Sequence, residues 1–349
     1  MRLVPLLCIV SLMPAAAQYA ARRAITDGIE VIRLEDRRQS TVVSVVPSLG
    51  NIAFEMKVKG KNIFWFPFPS VGEFKKKPAL CGNPLLAPWA NRLDENGFYA
   101  NGKKYTLNLG LGNVRLDGFK HPIHGLLLFA SDWVITALEA DARGARLTSR
   151  LDFSRRPEWM AQFPFAHAIE VTHRLHEGAL EVATRVENRA AETMPLSLGY
   201  HPYFQVLDAP RDEWRAGLGA AAQWLLDKEL LPTGQTRPIG EALATPENTL
   251  LKGLSLDHVL GELVRDISGL ARFWVQGKQQ RVEVVYGPKY PVAVVYAPTG
   301  AGREFICFEP MTGITNAFNL AHRGAYPALQ SIPAGQSWQE SFWIRPSGF

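Results

Sequence analysis

Ile169-Glu-Val-Thr-His-Arg-Leu-His176, then Glu177-Gly178, then Ala179-Leu-Glu-Val-Ala-Thr-Arg-Val-Glu187 is a pair of alternating runs joined by a turn dipeptide. Ile169, Val171, His173 and Leu175 take every second place in the first run, and Leu180, Val182, Thr184 and Val186 do so in the second. Glu181, Arg185 and Glu187 fall on the opposite parity. A period of two places alternate side chains on opposite faces of an extended chain, so the stretch predicts a β-hairpin with one buried face.

The same period recurs outward from it. Strands are expected at 41–46, 51–58, 146–153, 281–286, 292–297, 304–308 and 339–344, and long helical periodicity is hard to find. Asn96-Gly97, Asn101-Gly102, Pro298-Thr299-Gly300 and Pro333-Ala334-Gly335 supply turn signals between them. The 349 residues contain Gly 29 and Pro 24, which suits a chain with many turns. Hydrophobic residues make up 47% and charged residues 20%, enough for a large core and too apolar for a disordered chain. No fixed-period repeat or low-complexity linker marks a boundary. The expectation is all-β: a large antiparallel β-sandwich formed as one domain by residues 18–349.

Residues 1–17 read differently. Arg2 gives a positive start, residues 3–13 form a short apolar run, and Ala15-Ala16-Ala17 offers a small-residue cleavage site before Gln18. That is the pattern of a signal peptide, so an exported protein, periplasmic or extracellular, is expected. No later run reaches the roughly 18 apolar residues of a membrane-spanning helix. Beyond the leader the chain keeps Cys81 and Cys307, and the apolar run around Cys307 favours a buried free thiol. The net charge of +5 is spread along the chain, with Lys75-Lys76-Lys77 as its densest run, and lacks the clustered stripe of a nucleic-acid binder.

Five segments put polar residues among apolar ones: Asn83–Arg92 with the turns after it; His121-Pro-Ile-His124-Gly125; Leu198-Gly-Tyr-His201-Pro-Tyr203-Phe204; Leu231-Pro-Thr-Gly234 followed by Ser255-Leu-Asp257-His258; and Ile306-Cys-Phe-Glu309-Pro, running on to Asn316 and Asn319. In this order they resemble the aldose 1-epimerase (galactose mutarotase) family, from about Val31 to Ile344. The resemblance implies the galactose mutarotase-like supersandwich, with a sugar site on a concave face. It implies Glu309 as general base on the anomeric hydroxyl and His201 as general acid on the ring oxygen. It further implies that His124, Arg92 with Asn91, and Asp257 bind the sugar. Pro202, Gly199 and Gln205-Val206 depart from the better-known galactose mutarotases, and they bear on sugar preference rather than on the acid and base.

Each residue also has an ordinary structural explanation. His201 and His124 could be satisfied core histidines, Glu309 a paired surface carboxylate and Asp257 a turn cap. Arg92 could pair with Asp94 or Glu95. Trp89, Tyr105, Trp133 and Tyr203 are ordinary core residues as readily as sugar platforms. His121 and His124 lack a nearby carboxylate pattern and make a poor zinc site.

Strand parity adds an independent argument. In a strand over 304–309, Phe305, Cys307 and Glu309 share a face, so the carboxyl would be desolvated and its pKa raised. A strand over 196–204 would set His201 beside Ser197 and Gly199, leaving room for a ligand. Mutarotation needs one proton to leave the anomeric oxygen while another reaches the ring oxygen, and a Glu with a raised pKa and a protonated His suit that exchange.

The partner expected is therefore a small-molecule sugar, with no cofactor, no metal, no nucleic acid and no membrane span, on a monomer or weak dimer. The rivals are a hexose-phosphate 1-epimerase, which needs a cation cluster for the phosphate, and a non-catalytic carbohydrate-binding protein of the same fold.

Overall fold

The computed structural model describes residues 17–349, so the expected signal peptide falls almost wholly outside the described residues. The hairpin forms as anticipated from His167–His176 and Ala179–Asn188, in the register Ile169 opposite Val186 and Leu175 opposite Leu180. Glu177 and Gly178 both take positive φ, 49° and 74°, as a two-residue turn matched to the strand twist requires. The Gly178 N–H donates to Asp36 Oδ2 at 3.0 Å, which ties the turn to the amino-terminal strands.

Every pairing between the strands of these sheets is antiparallel. The hairpin sits in a nine-stranded sheet ordered Thr249–Leu250, Arg215–Leu218, Ala271–Gln276, Arg281–Tyr286, Ser337–Ser347, Ala179–Asn188, His167–His176, Gly144–Asp152, Val134–Asp141. An eight-stranded sheet runs Pro232–Pro238, Ala220–Leu226, Leu256–Leu263, Val292–Ala297, Ile306–Met311, Gly199–Tyr200, Leu85–Leu86, with Tyr203–Phe204 also pairing to Ile306–Met311. An amino-terminal five-stranded sheet, Tyr19–Thr26 to Lys61–Asn62, packs against the Val134–Asp141 end of the larger one.

The two large sheets form a sandwich. Phe204, Val295 and Phe308 from one share a buried cluster with Phe273, Val284 and Phe342 from the other, and the Phe273 and Phe308 rings are 5.9 Å apart. Removing each such side chain from water contributes roughly 1.5–3 kcal/mol. Because Phe308 points into this core, its neighbours Cys307 and Glu309 project from the other face of the same sheet.

Several local expectations change. The strand expected to begin at Glu304 is Ile306–Met311, which starts two residues later and carries Glu309 in its interior. Asn101-Gly102 makes a two-residue turn between Gly97–Ala100 and Lys103–Thr106, but Asn96-Gly97 does not. Gly97 opens a strand, and it is a glycine because a Cβ there would sit 2.6 Å from the Tyr105 carbonyl oxygen. The lysine run is the exposed last turn and cap of the short helix Val71–Lys76. Both described cysteines are buried and unpaired. Among the described residues no helix is long and apolar enough to cross a membrane.

Candidate active site

The floor of the site follows from cross-strand register. In the eight-stranded sheet Asp257 lies opposite Tyr296, Tyr296 opposite Cys307, and Cys307 opposite Tyr203. Directly opposed residues of an antiparallel ladder share a face, so these four form one row across four strands. One step along, Glu309 lies opposite Val294. The shared face of Phe305, Cys307 and Glu309 is as expected, and all three are buried.

His201 is positioned in another way than by regular strand geometry. The chain over 196–204 is broken into Met194–Leu196, Gly199–Tyr200 and Tyr203–Phe204, with His201 and Pro202 between. Nor is Gly199 the source of room for a ligand. A Cβ there would meet Met311 Sδ at 2.6 Å and the Pro310 carbonyl oxygen at 2.9 Å, so its smallness serves the approach of the neighbouring strand. The imidazole instead lies flat on Tyr203, ring centres 4.6 Å apart at 5°, with Nε2 3.3 Å from Glu309 Oε1.

The rim comes from two loops. Asn91, His124 and Gly125 all have positive φ, and the His124 N–H donates to the Asn91 carbonyl at 3.0 Å. A Cβ on Gly125 would stand 2.1 Å from the Ala87 carbonyl oxygen, so only glycine lets the two loops close together. His124 meets His201 edge to face at 5.5 Å.

Arg92 pairs with neither Asp94 nor Glu95. Its Nε donates to Asp117 Oδ2 at 2.6 Å and its Nη1 to Asn91 Oδ1 at 3.1 Å. Asp94 and Glu95 are taken by Arg323, and Glu95 also by Lys104. Asn316 donates its N–H to the Arg92 carbonyl at 2.9 Å and accepts from the Asp94 N–H, while Asn319 Nδ2 donates to Asp94. The two asparagines that accompany Glu309 in sequence therefore brace the arginine loop.

All six residues singled out from sequence, Asn91, Arg92, His124, His201, Asp257 and Glu309, line one cleft of about 350 Å³. Sequence reasoning missed Leu80, Ile123, Leu230, Val294 and Tyr296 beside them, and Asp117 behind Arg92. The strand of Tyr296 was legible, but its place opposite Asp257 and Cys307 is a matter of register. Of the four aromatics weighed as platforms, Tyr203 lines the cleft; Trp89, Trp133 and Tyr105 pack with the core. His121 does not join His124, because its Nε2 lies 3.0 Å from Glu229 Oε2.

Burial dominates the electrostatics. It pushes the Glu309 carboxyl well above its ordinary range, the nearby Asp257 adds to this, and Arg92 opposes it. Asp257 is raised too, chiefly by burial. Burial pushes His201 down to about 3 and His124 well below its usual value, the latter helped by His201, Arg92 and Arg115. The expectation of a protonated His201 is thus corrected: in the free site desolvation favours neutral imidazole and neutral carboxyl. That state and the ion pair hold the same protons and the same net charge, so one proton moving between Glu309 and His201 interconverts them. Glu309 Oε2, His201 Nδ1 and His124 Nδ1 are buried with no protein partner. The polar side chains that line the cleft, Asn91, Arg92, His124, His201, Asp257 and Glu309, suit a ligand rich in hydroxyl groups.

A sequence profile described as aldose 1-epimerase matches residues 30–345. The chain belongs to the aldose 1-epimerase family. Solved structures agree on the fold. A galactose mutarotase-like protein from Clostridium acetobutylicum is 21% identical with a TM-score of 0.83, the alignment covering 95% of this chain and 99% of that one. A Synechocystis protein is 24% identical with a TM-score of 0.71, covering 96% and 100%. Galactose 1-epimerase from Lactobacillus acidophilus is 16% identical with a TM-score of 0.69, covering 95% and 100%. At such identities the likeness is one of fold, and the aldose 1-epimerase scaffold alone does not fix the sugar.

Proposed function

We propose that the protein interconverts the α and β anomers of a free aldose. The observation that carries this is the contact of His201 Nε2 with Glu309 Oε1 at 3.3 Å, on the wall of a cleft that also presents Asp257, Arg92, Asn91 and His124. At about 350 Å³ the cleft lies at the small end of ligand pockets, roughly 300–1,000 Å³, and suits one sugar ring.

Glu309, as the carboxylate of the ion-pair form, takes the proton of the anomeric hydroxyl. The bond from the anomeric carbon to the ring oxygen breaks, and protonated His201 gives its proton to that oxygen. The aldehyde rotates about its bond to the next carbon, and the ring recloses on the other face with the two roles exchanged. The pair ends as it began, with no net proton taken from solvent. Sugar hydroxyls hydrogen-bonding to the Glu309 carboxyl group would favour the carboxylate as substrate enters. Each proton-transfer group contributes roughly 10²–10⁴ in rate.

A free sugar is favoured over a hexose phosphate because the cleft's one arginine is already held by Asp117 at 2.6 Å, and no lysine or second arginine lines the cleft to form a phosphate cluster. Polarimetry on freshly dissolved α-D-glucose and α-D-galactose tests the assignment. Faster mutarotation that is lost in His201→Asn supports it; equal rates with and without the protein overturn it, as tight sugar binding without rate enhancement would. Strong competition by glucose 6-phosphate would favour the phosphate reading. We also propose export with cleavage before Gln18, from the pattern of Arg2, the apolar run and Ala15-Ala16-Ala17. A mature chain beginning elsewhere, by mass spectrometry of the exported protein, would overturn that.

A further inference from the structure

We propose that the acid/base pair and Cys307 form a binding site for a thiophilic divalent cation of the zinc type, which blocks the cleft when it binds. A ring nitrogen of His201, Cys307 Sγ and a Glu309 oxygen all lie within 4.8 Å of one another, and all three residues are buried. The Cys307–Tyr203 pairing of neighbouring strands sets the thiol beside the imidazole, and strand alternation sets it beside the carboxyl. Zinc bonds of roughly 2.0–2.3 Å in tetrahedral geometry place such donors about 3.3–3.6 Å apart. His201 Nε2 and Glu309 Oε1 already stand at 3.3 Å.

One sulfur, one nitrogen and one oxygen suit zinc and its softer neighbours, and disfavour magnesium and calcium, which take oxygen alone. Three protein donors leave a fourth position for water or another ligand, and two of the donors, His201 and Glu309, line the cleft. A second observation points the same way, for Glu309 Oε2 is buried and unpartnered beside these donors. On binding, the thiol proton and the single proton of the His201–Glu309 pair leave to solvent, and the metal takes their place.

Binding itself stands on geometry; only the inhibition rests on the mutarotase assignment. The test titrates Co²⁺ into the full chain and follows thiolate-to-metal absorption in the near ultraviolet. The expected result is a band that saturates at a single equivalent, is displaced by Zn²⁺, persists in Cys81→Ser and is lost in Cys307→Ser. With circular dichroism to monitor folding, Glu309→Gln should weaken Co²⁺ at least tenfold, which serves if Cys307→Ser fails to fold. No band in the wild type, or an equal band in folded Cys307→Ser, overturns the site. In parallel, Zn²⁺ should slow mutarotation reversibly, with a chelator restoring it. Metal binding by a chain without mutarotase activity would sink the function and leave the site standing; full activity without the band would do the reverse.

Discussion

Glu309→Gln should remove catalysis and raise stability in the same molecule. Burial and the neighbouring Asp257 hold the Glu309 carboxyl well above its ordinary value of 4.5. The folded chain therefore keeps a proton that the unfolded chain gives up, so stability is lost as pH rises above 4.5 towards the folded value. The loss is set by the gap between the folded and unfolded values, at 1.36 kcal/mol per pH unit, and is larger at pH 7 than at pH 5. Glutamine has the shape of the neutral acid and cannot ionise, so it recovers that amount. Its amide occupies a place where Oε2 already lacks a partner, so little hydrogen bonding is given up. Thermal unfolding followed by circular dichroism should show Glu309→Gln melting higher than wild type at pH 7 by several degrees. At pH 5 the difference should shrink below about 1 kcal/mol. Polarimetry on the same samples should show kcat down by roughly 10²–10⁴, since an amide cannot carry the proton. A variant that melts lower at pH 7 would refute the desolvated-acid argument. One that keeps activity within tenfold of wild type would refute the role of Glu309 as base.

Acid should weaken the core, because His167 and His173 are fully buried and desolvation pushes each to about 4. Their contribution is present above the unfolded value near 6.5 and fades as pH falls to about 4, by about 3 kcal/mol per histidine; urea midpoints at pH 7 and pH 4.5 measure it, and His173→Leu should lessen the decline. Gly125→Ala sets a Cβ 2.1 Å from the Ala87 oxygen at a φ of +67°. It should lose at least about 2 kcal/mol in urea unfolding and lower kcat by displacing His124. Asp117→Ala leaves Arg92 without its carboxylate, so the sugar KM should rise about tenfold and stability fall by about 2–3 kcal/mol, read by polarimetry and urea unfolding.

Much of the fold was legible because alternation is local. Ile169 to Val186 announce a buried hairpin face through a period of two, and Glu177-Gly178 names its own turn. The aromatic residues were harder, since what a ring packs against depends on what another sheet covers. Asn96-Gly97 carries a turn signal, yet Gly97 is there for the close approach of Tyr105.

The site divides in the same way. The sequence by itself determined the all-β architecture, the likeness to the aldose 1-epimerase family and the polar half of the side chains that line the cleft. Cross-strand register decided that Asp257, Tyr296, Cys307 and Tyr203 stand in one row, and loop packing decided that Arg92 answers to Asp117. Burial then raised the Glu309 carboxyl and lowered the His201 imidazole, which opposes charge on both. Side-chain parity is written in every pair of adjacent residues, whereas register, ion pairing and desolvation arise only when distant segments meet.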